Sequence, residues 1–143
     1  MMSRGLLLVA HGSKDPRWKL PFQNIAENAA RQFPGFVVLA YLESAQPTAS
    51  EAVQQMLRAG VQHITLAPLF LAAGHHIRVD IPELIDEARQ AYPHLTWTVL
   101  PAIGELEAVQ QHLATATVAQ ALHQTPIGPD GTPPAAAPAS TAR

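Results

Sequence analysis

The stretch PLFLAAGHHIRVDIP, residues Pro68–Pro82, joins a predicted strand to an amphipathic helix. The strand before it is short and apolar, and after it apolar residues return at helical spacing. One predicted loop in between carries Gly74, His75, His76 and Asp80. Adjacent imidazoles and a carboxylate close to the end of a strand suggest metal or proton chemistry.

Strand and helix patterns alternate on both sides of this stretch. Apolar runs predict two buried strands, over Gly5–Ala10 and Phe36–Leu42, followed by a shorter third strand over His63–Ala67 and a fourth over Thr96–Leu100. Apolar residues at helical spacing predict four helices, over Leu20–Phe33, Thr48–Ala59, Asp80–Tyr92 and Glu105–Leu122. This fourfold β-α repeat predicts an α/β fold: a four-stranded parallel sheet with helices on both faces and right-handed crossovers.

Two of the predicted helices begin with recognisable capping residues. Thr48 is followed three residues later by Glu51, which matches a capping box. Asp80 is followed in the same way by Glu83, so we expect Asp80 to be the N-cap of the third helix.

Composition limits the class of protein. The length of 143 residues suits one domain, and 48% hydrophobic with only 14% charged residues is typical of a globular chain. A formal net charge of −2 argues against a nucleic-acid partner. The chain has no cysteine, which excludes disulfides, thiolate metal sites and cysteine nucleophiles. The first apolar run is too short for a membrane span or a signal peptide, so we expect a cytoplasmic protein without a membrane partner.

The composition changes after residue 124. From Thr125 to Arg143 the sequence is rich in proline and alanine, with Ile127 as its one large apolar side chain. Such a segment buries too little surface to offset its ordering entropy. We therefore predict an α/β domain over residues 1–124 and a disordered Pro/Ala-rich tail over 125–143.

Side chains that bind metal ions follow three of the predicted strands. His11 follows the first strand, Glu43 the second, and His75 and His76 the third. Ligands of parallel sheets bind outside the carboxyl ends of the strands, so we expect these residues to meet at one edge. Alone, His11 could be a turn histidine and Glu43 a solvated carboxylate, but together they favour an open site for Co²⁺, Fe²⁺, Ni²⁺ or Zn²⁺.

Other polar residues near this edge have less specific signals. Lys14, Arg17 and Arg78 could meet an anionic substrate, although each could also be a solvated surface charge. Ser13 lies outside any G-x-S-x-G motif, which argues against a hydrolase nucleophile. The sequence around it also lacks the pattern of a P-loop.

Three motifs together resemble the short-form sirohydrochlorin cobaltochelatases, a family of class II chelatases. The motifs are LLVAHGS at 7–13, YLESAQPT at 41–48 and PLFLAAGHHIRVDIP at 68–82. The resemblance implies that His11 and His76 are metal ligands and catalytic residues, with Glu43 as the acidic third ligand. His76 is the match rather than His75, because it lies eight residues after Pro68 and four before Asp80.

The resemblance also implies an activity. A member of this family inserts Co²⁺, or alternatively Fe²⁺ or Ni²⁺, into sirohydrochlorin with loss of two pyrrole protons, and needs no cofactor beyond the metal substrate. A chain with a single chelatase-like half would act as a homodimer. The residues expected to contact the tetrapyrrole are Ser13, Lys14, Arg17, Leu69, Phe70, Leu71, Gly74, His75 and Arg78.

Two other functions stay open at this point. A non-catalytic carrier domain would bind a divalent metal ion through the same loops without changing a tetrapyrrole. A histidine-type phosphatase is the other alternative, because His-Gly also occurs in its Arg-His-Gly motif. Ala10 stands in the place of that arginine here.

Overall fold

Strands and helices alternate along the chain in the computed structural model, which describes residues 3–132 apart from the side chain of His76. The strands are β1 (Arg4–Ala10), β2 (Phe36–Tyr41), β3 (His63–Pro68) and β4 (Thr96–Val99). The helices are α1 (Pro16–Gln32), α2 (Ala49–Arg58), α3 (His75–Ala91) and α4 (Glu107–His123), with a 3₁₀ turn over Ile103–Glu105.

The four strands form one parallel sheet in the order β2-β1-β3-β4. The predicted α/β class with a parallel sheet is therefore confirmed. Within the sheet, β2 lies on one side of β1, whereas β3 and β4 lie on the other side. The connection from β2 to β3 therefore passes over β1. Right-handed crossovers then put α1 on one face of the sheet and α2 and α3 on the other.

The apolar core lies between the sheet and the helices α2 and α3. Leu7 and Val9 of β1 are fully buried, as are Ile64 and Leu66 of β3. The helices contribute the buried residues Ala52, Val53, Met56, Ile81 and Ile85. None of the residues of α1 is buried, so the core is concentrated on one side of the sheet.

The third helix begins earlier than predicted. Gly74 is the N-cap of α3, so His75 and His76 belong to its first turn and Asp80 lies inside the helix. The prediction that Asp80 caps this helix is wrong, as is the prediction that the two histidines lie in a loop. Ile77 packs against the core one helical turn before the buried Ile81, and this additional burial stabilises the earlier start.

The first helix also begins earlier, at Pro16 rather than Leu20. Asp15 is its N-cap and accepts a hydrogen bond from the backbone N–H of Arg17 at 2.9 Å. Proline suits the first helical position because its missing N–H would be unpaired there. The predicted cap of α2 is correct, since the Thr48 hydroxyl accepts from the backbone N–H of Glu51 at 3.2 Å.

The chain divides into two compact units after Val109. The first unit contains the sheet with α1, α2 and α3, and the second begins at Gln110 and contains most of α4. Residues 125–132 have neither helix nor strand, and Gly128 and Thr132 close a turn there. Residues 133–143 lie outside the described part, so the disordered tail and the domain limit at residue 124 stay predictions.

Candidate metal centre

His11 and Glu43 form a close pair at the carboxyl edge of the sheet. His11 directly follows β1, and Glu43 comes two residues after the end of the neighbouring strand β2. Nε2 of His11 lies 2.7 Å from Oε1 of Glu43. The two side chains are 44% and 61% exposed, so an ion or a substrate can reach both from solvent.

The backbone at this point allows only glycine at position 12. Gly12 has a φ of +106°, and a Cβ there would lie 1.7 Å from the carbonyl oxygen of Glu43. The backbone N–H of Glu43 donates to the carbonyl of His11 at 3.0 Å, which holds the two strand exits together. Sequence reasoning missed this role of Gly12, although a glycine directly after a strand-end histidine was a visible signal.

The exit of β3 adds an apolar surface beside the pair. The backbone N–H of Leu69 donates to the carbonyl of Val9 at 2.8 Å, which continues the ladder past the end of β3. The ring of Phe70 meets the ring of His11 edge-on, with centroids 6.5 Å apart. Leu71 is 70% exposed. The predicted substrate residues Leu69–Leu71 therefore lie at the same edge as His11.

His75 and His76 occupy the first turn of α3. Gly74 precedes them with an extended backbone, at φ −82° and ψ −178°, and His75 is exposed. The side chain of His76 is outside the described part of the structure, so its contact with His11 or Glu43 stays a prediction. Among the side chains that are described, no three histidines or carboxylates are grouped to hold a metal ion.

The cationic residues predicted to meet the substrate differ in their surroundings. The guanidinium of Arg17 pairs with the carboxylate of Asp15 at 3.1 Å, and this pairing, with the Arg17 backbone N–H, holds the pKa of Asp15 below its ordinary value. The hydroxyl of Ser13 accepts from the backbone N–H of Asp15 at 3.1 Å. Lys14 and Arg78 are exposed.

A cleft of about 520 Å³ lies between α2 and α3. Asp80, Glu83 and Glu87 line it from α3, and Thr48 and Leu42 contribute at the other side. Leu42 is the neighbour of Glu43, so the cleft begins one residue from the His11–Glu43 pair. Sequence reasoning missed the cleft because it placed Asp80 at a helix cap rather than on a helix face with the two glutamates.

Comparison with known proteins identifies the family of this chain. The family model CbiX matches residues 5–120. The chain belongs to the CbiX family. The recognition of this family from the three motifs is therefore confirmed.

Among residues 3–132, no helix of this CbiX chain is long and apolar enough to cross a membrane.

Curated relatives of this CbiX chain have a specific name. The sirohydrochlorin cobaltochelatase of Saccharolobus islandicus (strain L.S.2.15 / Lassen #1) is 43% identical over 81 residues, which cover 57% of this chain and 62% of the relative. The sirohydrochlorin cobaltochelatase of Sulfolobus acidocaldarius is 40% identical over 83 residues, or 58% of this chain and 67% of the relative. The match thus spans less than two thirds of the Saccharolobus protein.

Solved structures show the same architecture. A CbiX protein of Marinobacter aquaeolei VT8, named for cobalamin (vitamin B12) biosynthesis, superposes with a TM-score of 0.76 at 29% identity, covering 85% of this chain and 99% of that one. The sirohydrochlorin chelatase SirB of Bacillus subtilis subspecies spizizenii, solved in complex with cobalt, gives a TM-score of 0.75 at 25% identity. That match covers 82% of this chain and 51% of SirB.

Proposed function

We propose that this CbiX chain is a sirohydrochlorin chelatase that inserts Co²⁺, or alternatively Fe²⁺ or Ni²⁺, into sirohydrochlorin during tetrapyrrole biosynthesis. The observation that carries the proposal is the 2.7 Å contact between His11 Nε2 and Glu43 Oε1 at the carboxyl edge of the sheet. An imidazole and a carboxylate suit a borderline divalent ion. The names of the CbiX relatives supply the substrate class.

We assign His11, His76 and Glu43 as the metal ligands. Insertion transfers the ion to the pyrrole nitrogens and releases two protons from them. As the ion leaves, the freed Nε2 of His11 accepts one of these protons, and Glu43 stabilises the resulting imidazolium as an ion pair. His76 accepts the second proton before both pass to solvent.

The substrate would lie on the exit of β3. The apolar residues Leu69, Phe70 and Leu71 would face the macrocycle, because the Phe70 ring meets the His11 ring and Leu71 is 70% exposed. Lys14, Arg17 and Arg78 would pair with the peripheral carboxylates of sirohydrochlorin. The remaining contacts with sirohydrochlorin would come from Ser13, Gly74 and His75.

We further propose a homodimer in the cytoplasm. The CbiX chain aligns with 51% of SirB, so a second copy would supply the other wall of the cleft around the macrocycle. The absence of cysteine is compatible with the reducing cytoplasm.

An absorbance-monitored insertion assay tests this function. Purified protein is mixed with sirohydrochlorin and with Co²⁺, Fe²⁺ or Ni²⁺ in parallel, and the change in the tetrapyrrole spectrum is followed against a protein-free control. We expect insertion with at least one ion, and a loss of about 100-fold or more in H11A and H76A, since removal of a group that only orients a ligand already costs about 10–100-fold.

His94 supplies the matched control. It is exposed and directly precedes Leu95 and β4, so it lies at the opposite edge of the sheet from His11. H94A should therefore retain wild-type insertion. Tight Co²⁺ binding without any spectral change of sirohydrochlorin would instead identify a metal carrier and overturn the proposed activity.

A further inference from the structure

The loop between β3 and α3 is fastened to the 3₁₀ turn at Ile103–Glu105. The backbone N–H of Gly104 donates to the carbonyl of Phe70 at 2.9 Å. Three residues further along the loop, the backbone N–H of Ala73 donates to Oε1 of Glu105 at 3.2 Å. The 3₁₀ turn therefore holds the loop near both ends of the loop. Ala73 and Glu105 are 32 residues apart in the sequence.

The approach at Gly104 is too close for any other residue. A Cβ at this position would lie 2.0 Å from the carbonyl oxygen of Leu71 and 2.4 Å from its Cα. Gly104 is also buried. The backbone of the turn and the backbone of the loop are thus in direct contact, and the loop can change position only if this contact opens.

The loop carries the groups on which the proposed chemistry depends. Phe70 at its beginning touches the ring of His11. Gly74 at its end is the N-cap of α3, and no side chain caps the helix there. The Ala73 amide held by Glu105 is two residues before His75 and three before His76, so it fixes the backbone from which the first turn of α3 starts.

We propose that Glu105 is a positioning residue of the metal centre. Its carboxylate fixes the Ala73 amide, and through it the start of α3 that bears the histidine pair, against the edge formed by His11 and Glu43. Glu105 contacts neither the ion nor the macrocycle. The inference rests on the proposed function, because the groups that it positions are those assigned to metal insertion.

Two substitutions separate a hydrogen bond from a charge. E105A removes the acceptor, whereas E105Q keeps an amide oxygen that can accept from Ala73 and removes the charge. E27A is the matched control, because Glu27 is an exposed glutamate on α1. G104A is a second test of the same contact, because its Cβ forces the turn and the loop apart.

Three measurements apply to each variant: exchange of the Ala73 amide by NMR, the Kd for Co²⁺ without tetrapyrrole, and kcat and KM for insertion. In E105A we expect the Ala73 amide to exchange about fivefold faster, as for loss of one hydrogen bond. Its Co²⁺ affinity and kcat should fall about tenfold, with KM for sirohydrochlorin changed less. E105Q should recover most of each effect, G104A should lose more than E105A, and E27A should match the wild type.

The outcomes distinguish this inference from the proposed function. Wild-type Ala73 exchange and wild-type Co²⁺ affinity in E105A would overturn the positioning role, as would an E105Q variant as impaired as E105A. If E105A fails to fold, E105Q and G104A still decide the question through Ala73 exchange and Co²⁺ affinity. If the wild type inserts no metal, the proposed function fails, while those two measurements still test the role of Glu105.

Discussion

Replacing Gly12 with alanine should separate His11 from Glu43. The added Cβ would lie 1.7 Å from the Glu43 carbonyl oxygen, whereas ordinary contact begins at about 3.4 Å, so the two backbones must part by about 1.7 Å. The 2.7 Å contact between the two side chains does not survive such a shift. Because a misplacement of about 1 Å can cost about 10²-fold in rate, we expect kcat for insertion to fall at least 100-fold in G12A.

The same substitution should lower stability. Alanine at a φ of +106° is strained by about 1–3 kcal/mol, and the steric clash adds to this cost. At roughly 4 °C per kcal/mol for a domain of this size, the strain alone should lower Tm by about 4–12 °C in a thermal unfolding scan followed by circular dichroism, and the clash should lower it further. A variant with wild-type Tm and wild-type kcat would refute the account of this turn.

A control at the other end of β1 separates the two effects. In G5A the added Cβ would meet the side chains of Val61 and Met56, at 2.9 and 3.2 Å, rather than backbone. Overpacking of this kind costs about 1–3 kcal/mol. We therefore expect G5A to lose stability and to keep its insertion rate at temperatures where it is folded.

Three further predictions concern the core, a helix cap and a surface pair. M56A should lower the free energy of unfolding by about 2–5 kcal/mol in urea denaturation, because Met56 is fully buried in the core. T48A should cost about 1 kcal/mol in the same assay, because the N–H of Glu51 loses its acceptor, whereas T48S should be near wild type. R17M should raise the pKa of Asp15 toward 3.8 in an NMR titration. Since the folded pKa lies below the unfolded one, the Asp15 interaction stabilises the fold above about pH 4 and is lost as pH falls, and R17M should weaken this dependence.

The sheet and part of the site could be predicted because their signals are local. Buried parallel strands are continuously apolar, so β2 and β1 from Gly5 onward are visible as uninterrupted runs. His11 and Glu43 each lie within two residues of a strand end, and parallel neighbours bring such positions together. The family motifs contain the same residues, which is why pattern and resemblance led to one edge of the sheet.

The start of α3 was misjudged because a local signal indicated the wrong residue. Asp80 with Glu83 imitates a capping box. The burial of Ile77 together with Ile81 outweighs this signal, and the helix continues through Pro82. Tertiary packing of this kind is not visible in a capping pattern.

The contacts of Gly12 and Glu105 were missed for a different reason. Each depends on the distance between two backbone segments that are far apart along the chain. Glu105 was assigned to the start of the fourth helix, and nothing in its neighbourhood indicates that its carboxylate accepts from Ala73. Such contacts follow from the way the turn and the loop cross, which only the folded chain determines.

We propose that one divalent ion binds between His11, Glu43 and His76 at the carboxyl edge of the sheet. Crystals grown with Co²⁺ and measured at the cobalt absorption edge test it directly, because anomalous scattering locates the ion independently of any assignment. We expect one strong peak about 2.0–2.2 Å from Nε2 of His11, from a carboxylate oxygen of Glu43 and from an imidazole nitrogen of His76. A strong peak elsewhere, with none beside His11, would contradict the claim.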